Sequence, residues 1–377
     1  MTKIYLVRHC ESEGNACRRA QAQFNGLVTA KGYAQNECLR RRFENVHIDA
    51  IYSSDTFRSV MTAKRIADER GLPIRTRMLL REITTGVWED MAWGDIPKQY
   101  PEEYAVWDST PWELITPGGT TFQQVAALGI EGIRRIAKEV GDGTALVISH
   151  SCTIKSMLCH LAGQPMSEVK KYGHGDNTSV NELEVSDDGR ITVLKMSDSS
   201  HLPPELQRAW SGVAGADVNM SFEIFEAGSE KDMADYLEFR MQYAAEHGLS
   251  QDKAAWCEEA LRRVEKDSRF IAFSLLHEKR TGLVELDQNE QFPALAGYMV
   301  RHCIKPELQG KGYSDQLLGY AIHTFRLMGK HGVVLDPPKT SEEVRVAHRF
   351  VVSEMEGFPD YLYLNTDVPS LPEPTLA

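Results

Sequence analysis

Short apolar runs alternate with longer amphipathic stretches through the first two hundred residues. Runs at 4–7, 48–52, 73–78 and 145–149 predict strands, because each is short, β-favouring and bounded by polar punctuation. Stretches at 30–43, 57–70, 122–140 and 153–161 repeat their apolar residues at helical spacing and predict helices. Alternation of this kind predicts an α/β fold: a three-layer α/β/α unit around a mostly parallel sheet covered on both faces. Asn177-Thr178-Ser179-Val180 opens a last hairpin that turns at Asp187-Asp188-Gly189. From 196 to 220 the pattern breaks into a linker signature, with serines, Pro203-Pro204, Gly212 and Gly215, and with 206–210 as a segment that docks on one domain.

A second pattern follows: a strand at 221–225, helices at 231–247 and 251–267, and strands at 270–276, 282–286 and 295–304. It ends in a Gly-rich turn and a helix with Leu317, Leu318, Ala321, Ile322 and Phe325 on one face. At 377 residues the chain exceeds what one core usually supports. The expected division is 1–197, a linker 198–218, a mixed α/β domain 219–366 and a flexible tail 367–377.

Composition narrows the class. The formal net charge is −12, with residues 211–377 carrying 17 Lys and Arg against 27 Asp and Glu. Neither half has the basic excess of a nucleic-acid binder, and Arg40-Arg41-Arg42 fits a solvated helix face. No apolar run is long enough for a membrane span, and the expectation is a chain without a signal peptide before the first strand. Seven cysteines without a Cys-x-x-Cys pair suit reduced thiols in a cytoplasm.

The candidate chemistry sits where strands end. Ile4-Tyr5-Leu6-Val7 runs into Arg8-His9-Cys10-Glu11-Ser12-Glu13-Gly14-Asn15, and the run at 145–149 ends in His150-Ser151. Ligands in open α/β sheets bind beyond the carboxyl ends of strands, so both imidazoles are candidates for one crevice. A guanidinium beside an imidazole suits phosphate: Arg offers a planar fork of donors, and His attacks phosphorus or gives a proton.

These residues resemble the signature of the histidine phosphatase superfamily, also called phosphoglycerate mutase-like. Arg8-His9-Cys10 is similar to its Arg-His-Gly, and Leu27-Val28-Thr29-Ala30-Lys31-Gly32 to its Leu-Thr-x-x-Gly. The segment 51–59 resembles the one that supplies the second arginine, Arg58. Leu80-Arg81-Glu82-Ile83 with Gly86-Val87-Trp88-Glu89 resembles the acid-bearing loop, and Ser149-His150-Ser151 the second histidine. The resemblance implies His9 as the phosphorylated nucleophile and Glu82 as acid and then base. Arg8, Asn15, Arg58, His150 and Ser151 would hold the phosphoryl oxygens, and no metal would be needed. It also implies a cap over 89–121, whose Trp93, Tyr100, Tyr104, Trp107 and Trp112 either select the substrate or pack the cap. An acid role for Glu82 needs a raised pKa, which burial near Ile83 and Trp88 would supply.

Cys10 departs from the family's glycine, as a packed small residue or as a thiol activated by its cationic neighbours. A mutase is one alternative activity, although the open-looking 86–89 loop resembles phosphatase members more. A pocket blunted by Cys10, which binds phosphorylated ligands without turnover, is another. His160, His174 and His201 match no motif and are expected to be structural.

In the second half, Lys305-Pro306-Glu307-Leu308-Gln309-Gly310-Lys311-Gly312-Tyr313-Ser314 resembles the pyrophosphate-binding signature of the GNAT acyltransferase superfamily. The resemblance implies acetyl-CoA along the strand ending at Cys303 and Ile304, with its pyrophosphate on Gln309, Gly310, Lys311, Gly312, Tyr313 and Ser314. It also implies a helix at 344–356 before Gly357-Phe358, with Ser353 nearest the usual tyrosine acid. His302, Glu285 and Tyr361 are acid–base candidates. The expected partners are a small phosphorylated metabolite, an unidentified acyl acceptor and, for a degenerate second domain, another copy of the chain in a homodimer.

Overall fold

The computed structural model describes residues 1–207, 217–288, 295–335, 351–352 and 362–369. The first sheet has strand order β3-β2-β4-β1-β5-β6. Its strands are β1 (Thr2–Arg8), β2 (Ala50–Ser53), β3 (Ile74–Thr76), β4 (Thr144–Ser149), β5 (Val180–Val185) and β6 (Ile191–Asp198). The first four run parallel, and β5 and β6 are antiparallel additions at one edge. The helices are α1 (Glu13–Ala16), α2 (Ala30–Phe43), α3 (Phe57–Arg70), α4 (Ile96–Gln99), α5 (Pro101–Ser109), α6 (Phe122–Val140) and α7 (Ser151–Leu161).

Core residues lie on both faces of this sheet. Ile4, Leu6, Ala145 and Val147 point to the α6 and α7 side, and Tyr5, Val7, Leu146 and Ile148 to the α2 and α3 side. This two-sided burial is why β1 and β4 are apolar throughout rather than alternating.

The second sheet has order β12-β13-β11-β10-β9-β8-β7. Its strands are β7 (Ser221–Ile224), β8 (Ile271–Leu276), β9 (Lys279–Asp287), β10 (Ala296–Ile304), β11 (Gly332–Leu335), β12 (Val351–Val352) and β13 (Leu362–Asn365), with helices α8 (Glu230–Glu246), α9 (Lys253–Lys266) and α10 (Ser314–Leu327). Among the described residues of this sheet only β10 and β11 pair in parallel, from Ala296–Gly332 to Met299–Leu335.

Some expectations shift. The strand at 73–78 shrinks to β3, and a 3₁₀ turn at Met78–Leu80 follows it. β6 carries through Met196 to Asp198, past the expected start of the linker. Within the helix expected at 344–356, Val351 and Val352 instead pair with β13, while Ser353, Gly357 and Phe358 lie outside the described residues, as do Tyr361 and most of the tail. Of the segment 206–210 only Leu206 and Gln207 are described. Their carbonyls accept from Gln35 Nε2 and Lys31 Nζ of α2, each at 2.8 Å.

Among the described residues no helix is long and apolar enough to cross a membrane.

Candidate active site

β1 and β4 lie side by side with Arg8 opposite Ser149, so the residues that follow them emerge together. The rings of His9 and His150 have centroids 5.1 Å apart, with planes tilted by 56°. His9 Nδ1 lies 2.7 Å from the Cys10 carbonyl oxygen. A carbonyl only accepts, so Nδ1 carries the proton and Nε2 keeps its lone pair. Burial, followed by the charges of Arg58 and Arg8, holds this imidazole well below the usual histidine pKa. Asn177 Nδ2 fixes the backbone here, donating to the His9 carbonyl at 2.9 Å.

His150 is fully buried, and burial again leads the causes of a pKa well below normal, followed by Arg58, His9 and Arg8. Its Nδ1 faces Arg58 Nη2 at 3.2 Å, and a guanidinium only donates. The proton therefore sits on Nε2, which donates to Ser54 Oγ at 2.8 Å. Ser59 Oγ is 3.4 Å from the same nitrogen.

Two arginines bring positive charge to this crevice. Arg8 Nη1 donates to the carbonyls of Gly175 at 2.7 Å and His174 at 3.3 Å. Arg58, wholly buried, donates to the carbonyls of Phe24 at 3.0 Å and Ala22 at 2.7 Å. Burial lowers its pKa to about 10, and the carboxylates of Glu82 and Glu89 oppose that fall. Asn15 Oδ1 collects the backbone N–H and hydroxyl of Ser12 and the Asn177 amide, which leaves the Asn15 Nδ2 group as the donor side.

The acid loop is less open than its sequence suggests. Glu82 Oε1 accepts from the backbone of Ile83 at 2.9 Å and of Thr153 at 3.0 Å, and from Thr153 Oγ1 at 3.1 Å; Oε2 accepts from Cys152 N at 3.0 Å. It thus anchors the first turn of α7, where helix amides lack internal partners. The 86–89 segment is a 3₁₀ turn with Trp88 fully buried, and Glu89 accepts from the amides of Ala22, Gln23 and Phe24. Trp88, Trp93 and Trp107 pack on one another, with Trp93 and Trp107 stacked at 5.5 Å. The cap aromatics therefore serve at least as its packing.

Cys10 is no activated thiol. It is fully buried against Val28 and Phe57, and burial pushes its pKa up to about 12. It has no positive φ, so a side chain is accepted here without backbone strain.

The model of the histidine phosphatase superfamily (branch 1) matches residues 4–199, just over half of the chain. The chain belongs to this superfamily. It is 29% identical over 202 residues to phosphoserine phosphatase 1 of Hydrogenobacter thermophilus, covering 54% of this chain and 95% of the relative. It is 31% identical over 217 residues to a probable phosphoglycerate mutase GpmB of Yersinia pestis, covering 55% of this chain and all of that one. Among solved structures, Bacillus stearothermophilus YhfR aligns with a TM-score of 0.51 at 28% identity, covering 53% of this chain and 99% of its own.

Several residues of this histidine phosphatase site escaped sequence reading. Ser54 and Ser59 flank Arg58 inside the quoted 51–59 segment, and their position after a strand end was the available signal. Asn177 and the His174-Gly175 carbonyls come from a loop without a motif. His174 also contacts Ser151 Oγ at 3.0 Å through Nδ1 and Lys155 Nζ at 3.4 Å through Nε2. It therefore supports the site.

In the second half, Gly310 and Gly312 have φ of +68° and +78°, values natural to glycine, and Gly310 borders open space. They lead into α10, whose N-cap Tyr313 makes no side-chain cap. Lys311 is exposed, and Ser314 is the first residue of α10. The Gln309 side chain turns away from that helix end, to Glu246 at 3.1 Å and the Ile304 carbonyl at 3.2 Å. Cys303 and Ile304 are buried, and Tyr313 Oη donates to the Asp217 carbonyl at 2.9 Å. Glu285 is not a free acid–base group, because Arg240, Arg263 and Arg301 lie 3.0–3.3 Å from its Oε2. His302 is held neutral by burial, its pKa lowered to about 4.

Proposed function

We propose that the first half hydrolyses small phosphomonoesters through a phosphohistidine on His9. The observation that carries this reading is the neutral His9 with a proton on Nδ1 and a lone pair on Nε2, beside His150 and two buried arginines. Nε2 attacks phosphorus as the ester P–O bond breaks, and the leaving oxygen takes the proton of Glu82, which enters this step as a carboxylic acid and regains a proton from water in the next. Water then attacks the phosphohistidine, the N–P bond breaks, and inorganic phosphate leaves. Arg8, Arg58, Asn15, Ser151 and His150 steady the charge on the phosphoryl oxygens.

Glu82 is the group assigned to proton transfer. As placed it is an acceptor on both oxygens, which suits the step in which a base takes a proton from water.

For the substrate we propose a small phosphorylated acid, with O-phosphoserine first and 3-phosphoglycerate second. Two observations support it. The relatives include phosphoserine phosphatases and phosphoglycerate mutases. Lys155 is buried one helical turn beyond Ser151, with its Nζ 3.4 Å from His174 Nε2 and over the Phe122 ring, so it suits a second anionic group.

Rapid quench with an activated aryl phosphate should trap an acid-labile phosphoprotein in the wild type and none in His9→Ala. Equal trapping in both would refute the mechanism. Isomerisation of 3-phosphoglycerate without release of phosphate would make the enzyme a mutase instead.

For the second half we propose an acetyl-CoA-dependent acyltransferase domain. The positive-φ Gly310 and Gly312 before α10, with open space at Gly310, fit a pyrophosphate, and acetyl-CoA would supply the transferable acyl group. The Gln309 side chain is held by Glu246 and the Ile304 carbonyl, so Gln309 would contribute to this cradle through its backbone.

A further inference from the structure

The helix behind the second domain's glycine turn also reaches the phosphate pocket of the first. α10 lies directly on α1: a β-carbon on Gly319 would sit 2.6 Å from Cys17 Cβ, closer than side chains tolerate. This approach brings Arg326 onto Glu13 as a two-pronged pair, Nη1 to Oε1 at 2.7 Å and Nη2 to Oε2 at 2.9 Å. The Glu13 side chain is 3% exposed, so the pair is largely shielded from water. The same guanidinium lies over the Phe24 ring, 4.7 Å from its centroid. One turn earlier on α10, His323 Nδ1 meets Asp90 at 2.7 Å, and Asp90 also holds Arg19.

Both contacts of Arg326 lead to phosphate ligands. Glu13 opens α1, the turn on which Ser12 and Asn15 make reciprocal capping bonds, and Asn15 follows it by two residues. Phe24 gives its carbonyl to Arg58 Nη1 at 3.0 Å. The carboxylate of Glu89 grips the Phe24 amide from the other side at 3.0 Å. One guanidinium from the second domain thus touches the turn that presents Asn15 and the loop that holds Arg58.

We propose that Arg326 is a positioning residue for the phosphate site, so that the second domain supplies part of the phosphatase's frame. This rests on reading the His9 crevice as the phosphatase site. The Glu13 pair fixes the α1 turn, and the stacked Phe24 fixes the carbonyl that orients Arg58.

The test uses full-length wild type, Arg326→Ala, Arg326→Lys, Glu13→Gln and the double variant Glu13→Gln/Arg326→Ala. Turnover of p-nitrophenyl phosphate and inhibition by inorganic phosphate are the readouts. Arg326→Ala and Glu13→Gln should each lower kcat/KM and weaken phosphate inhibition by about tenfold. The double variant should be no worse than Arg326→Ala, and Arg326→Lys should fall between it and wild type, keeping the charge without the fork. Lys98→Ala, which removes a more exposed contact with Glu278 across the same junction, should stay at wild-type values.

Wild-type phosphate inhibition in Arg326→Ala, multiplied losses in the double variant, or an equal loss in Lys98→Ala would each overturn the proposal. Glu13→Gln and Arg326→Lys keep most of the side-chain volume and decide the matter if Arg326→Ala does not fold. A wild type that neither turns over p-nitrophenyl phosphate nor binds phosphate would overturn the active-site reading instead.

Discussion

At the scale of single residues, hydrogen-bond partners decide the two imidazoles' chemical roles. A carbonyl beside His9 Nδ1 and a guanidinium beside His150 Nδ1 force opposite tautomers on rings 5.1 Å apart. Burial and neighbouring arginines lower both pKa values, so both rings stay neutral below the ordinary histidine value near 6.5. Nitrogen-15 NMR at pH 6 should show His9 protonated on Nδ1 alone and His150 on Nε2 alone. Imidazolium signals, or the reverse tautomers, would remove the lone pair that the nucleophile needs. Arg8, His9 and His150 were legible because they close or directly follow apolar runs, and Arg58 only through the resemblance of segment 51–59 to the family. The carbonyls of Ala22, Phe24 and Gly175 were not, since a backbone acceptor carries no residue-type signal. Cys10 shows the same limit: its position beside cations left an activated thiol open beside a packed small residue, and only its enclosure by Val28 and Phe57 decided for packing.

At the scale of elements, α2, α3 and α6 were legible to the residue from their periodicity and end signals, and α8 and α9 to within two residues. α2 starts where Thr29 accepts from the Gly32 amide, and α6 starts at the reciprocal Thr121 and Gln124 caps. α3 stops at Gly71, whose φ of +62° is the left-handed stop. α1 was missed because four residues are too few to show a period, yet it is the element that presents Asn15. The turn before α10 is the converse case, a recognisable motif whose ligand is not yet demonstrated. Acetyl-CoA binding by calorimetry should be clear in the wild type and at least about tenfold weaker in Gly310→Glu, which puts a carboxylate and a strained φ into the cradle. Equal affinity in the two proteins would remove the pyrophosphate assignment.

At the scale of the molecule, the two sheets are joined by polar contacts as well as by the chain. Asp95, just before α4, accepts from the Phe222 amide of β7 at 2.7 Å. Burial raises the Asp95 pKa to about 6, well above the unfolded value of 3.8. The folded state then holds more protons than the unfolded state between these values, so stability is full below about pH 4 and falls as the pH rises through 6. Asp95→Asn keeps an acceptor oxygen and loses the titration. Its melting temperature should match wild type at pH 4 and exceed it above pH 6, by the equivalent of about 1–3 kcal/mol. A constant difference across that range would show that Asp95 ionises freely.

The sequence by itself determined the strand and helix alternation, the division into two α/β units and the family of the first. These depend on local periodicity and on residues that sit together along the chain. Only the tertiary structure decided the histidine tautomers, the anchoring of Glu82 on α7, the enclosure of Cys10 and the reach of Arg326 to Glu13. Each of those joins positions distant in the chain except the Cys10 carbonyl on His9, and Glu13 and Arg326 are 313 residues apart. Such contacts exist only once elements distant in the chain pack together, and no local pattern of apolar and polar residues encodes which groups will face each other there.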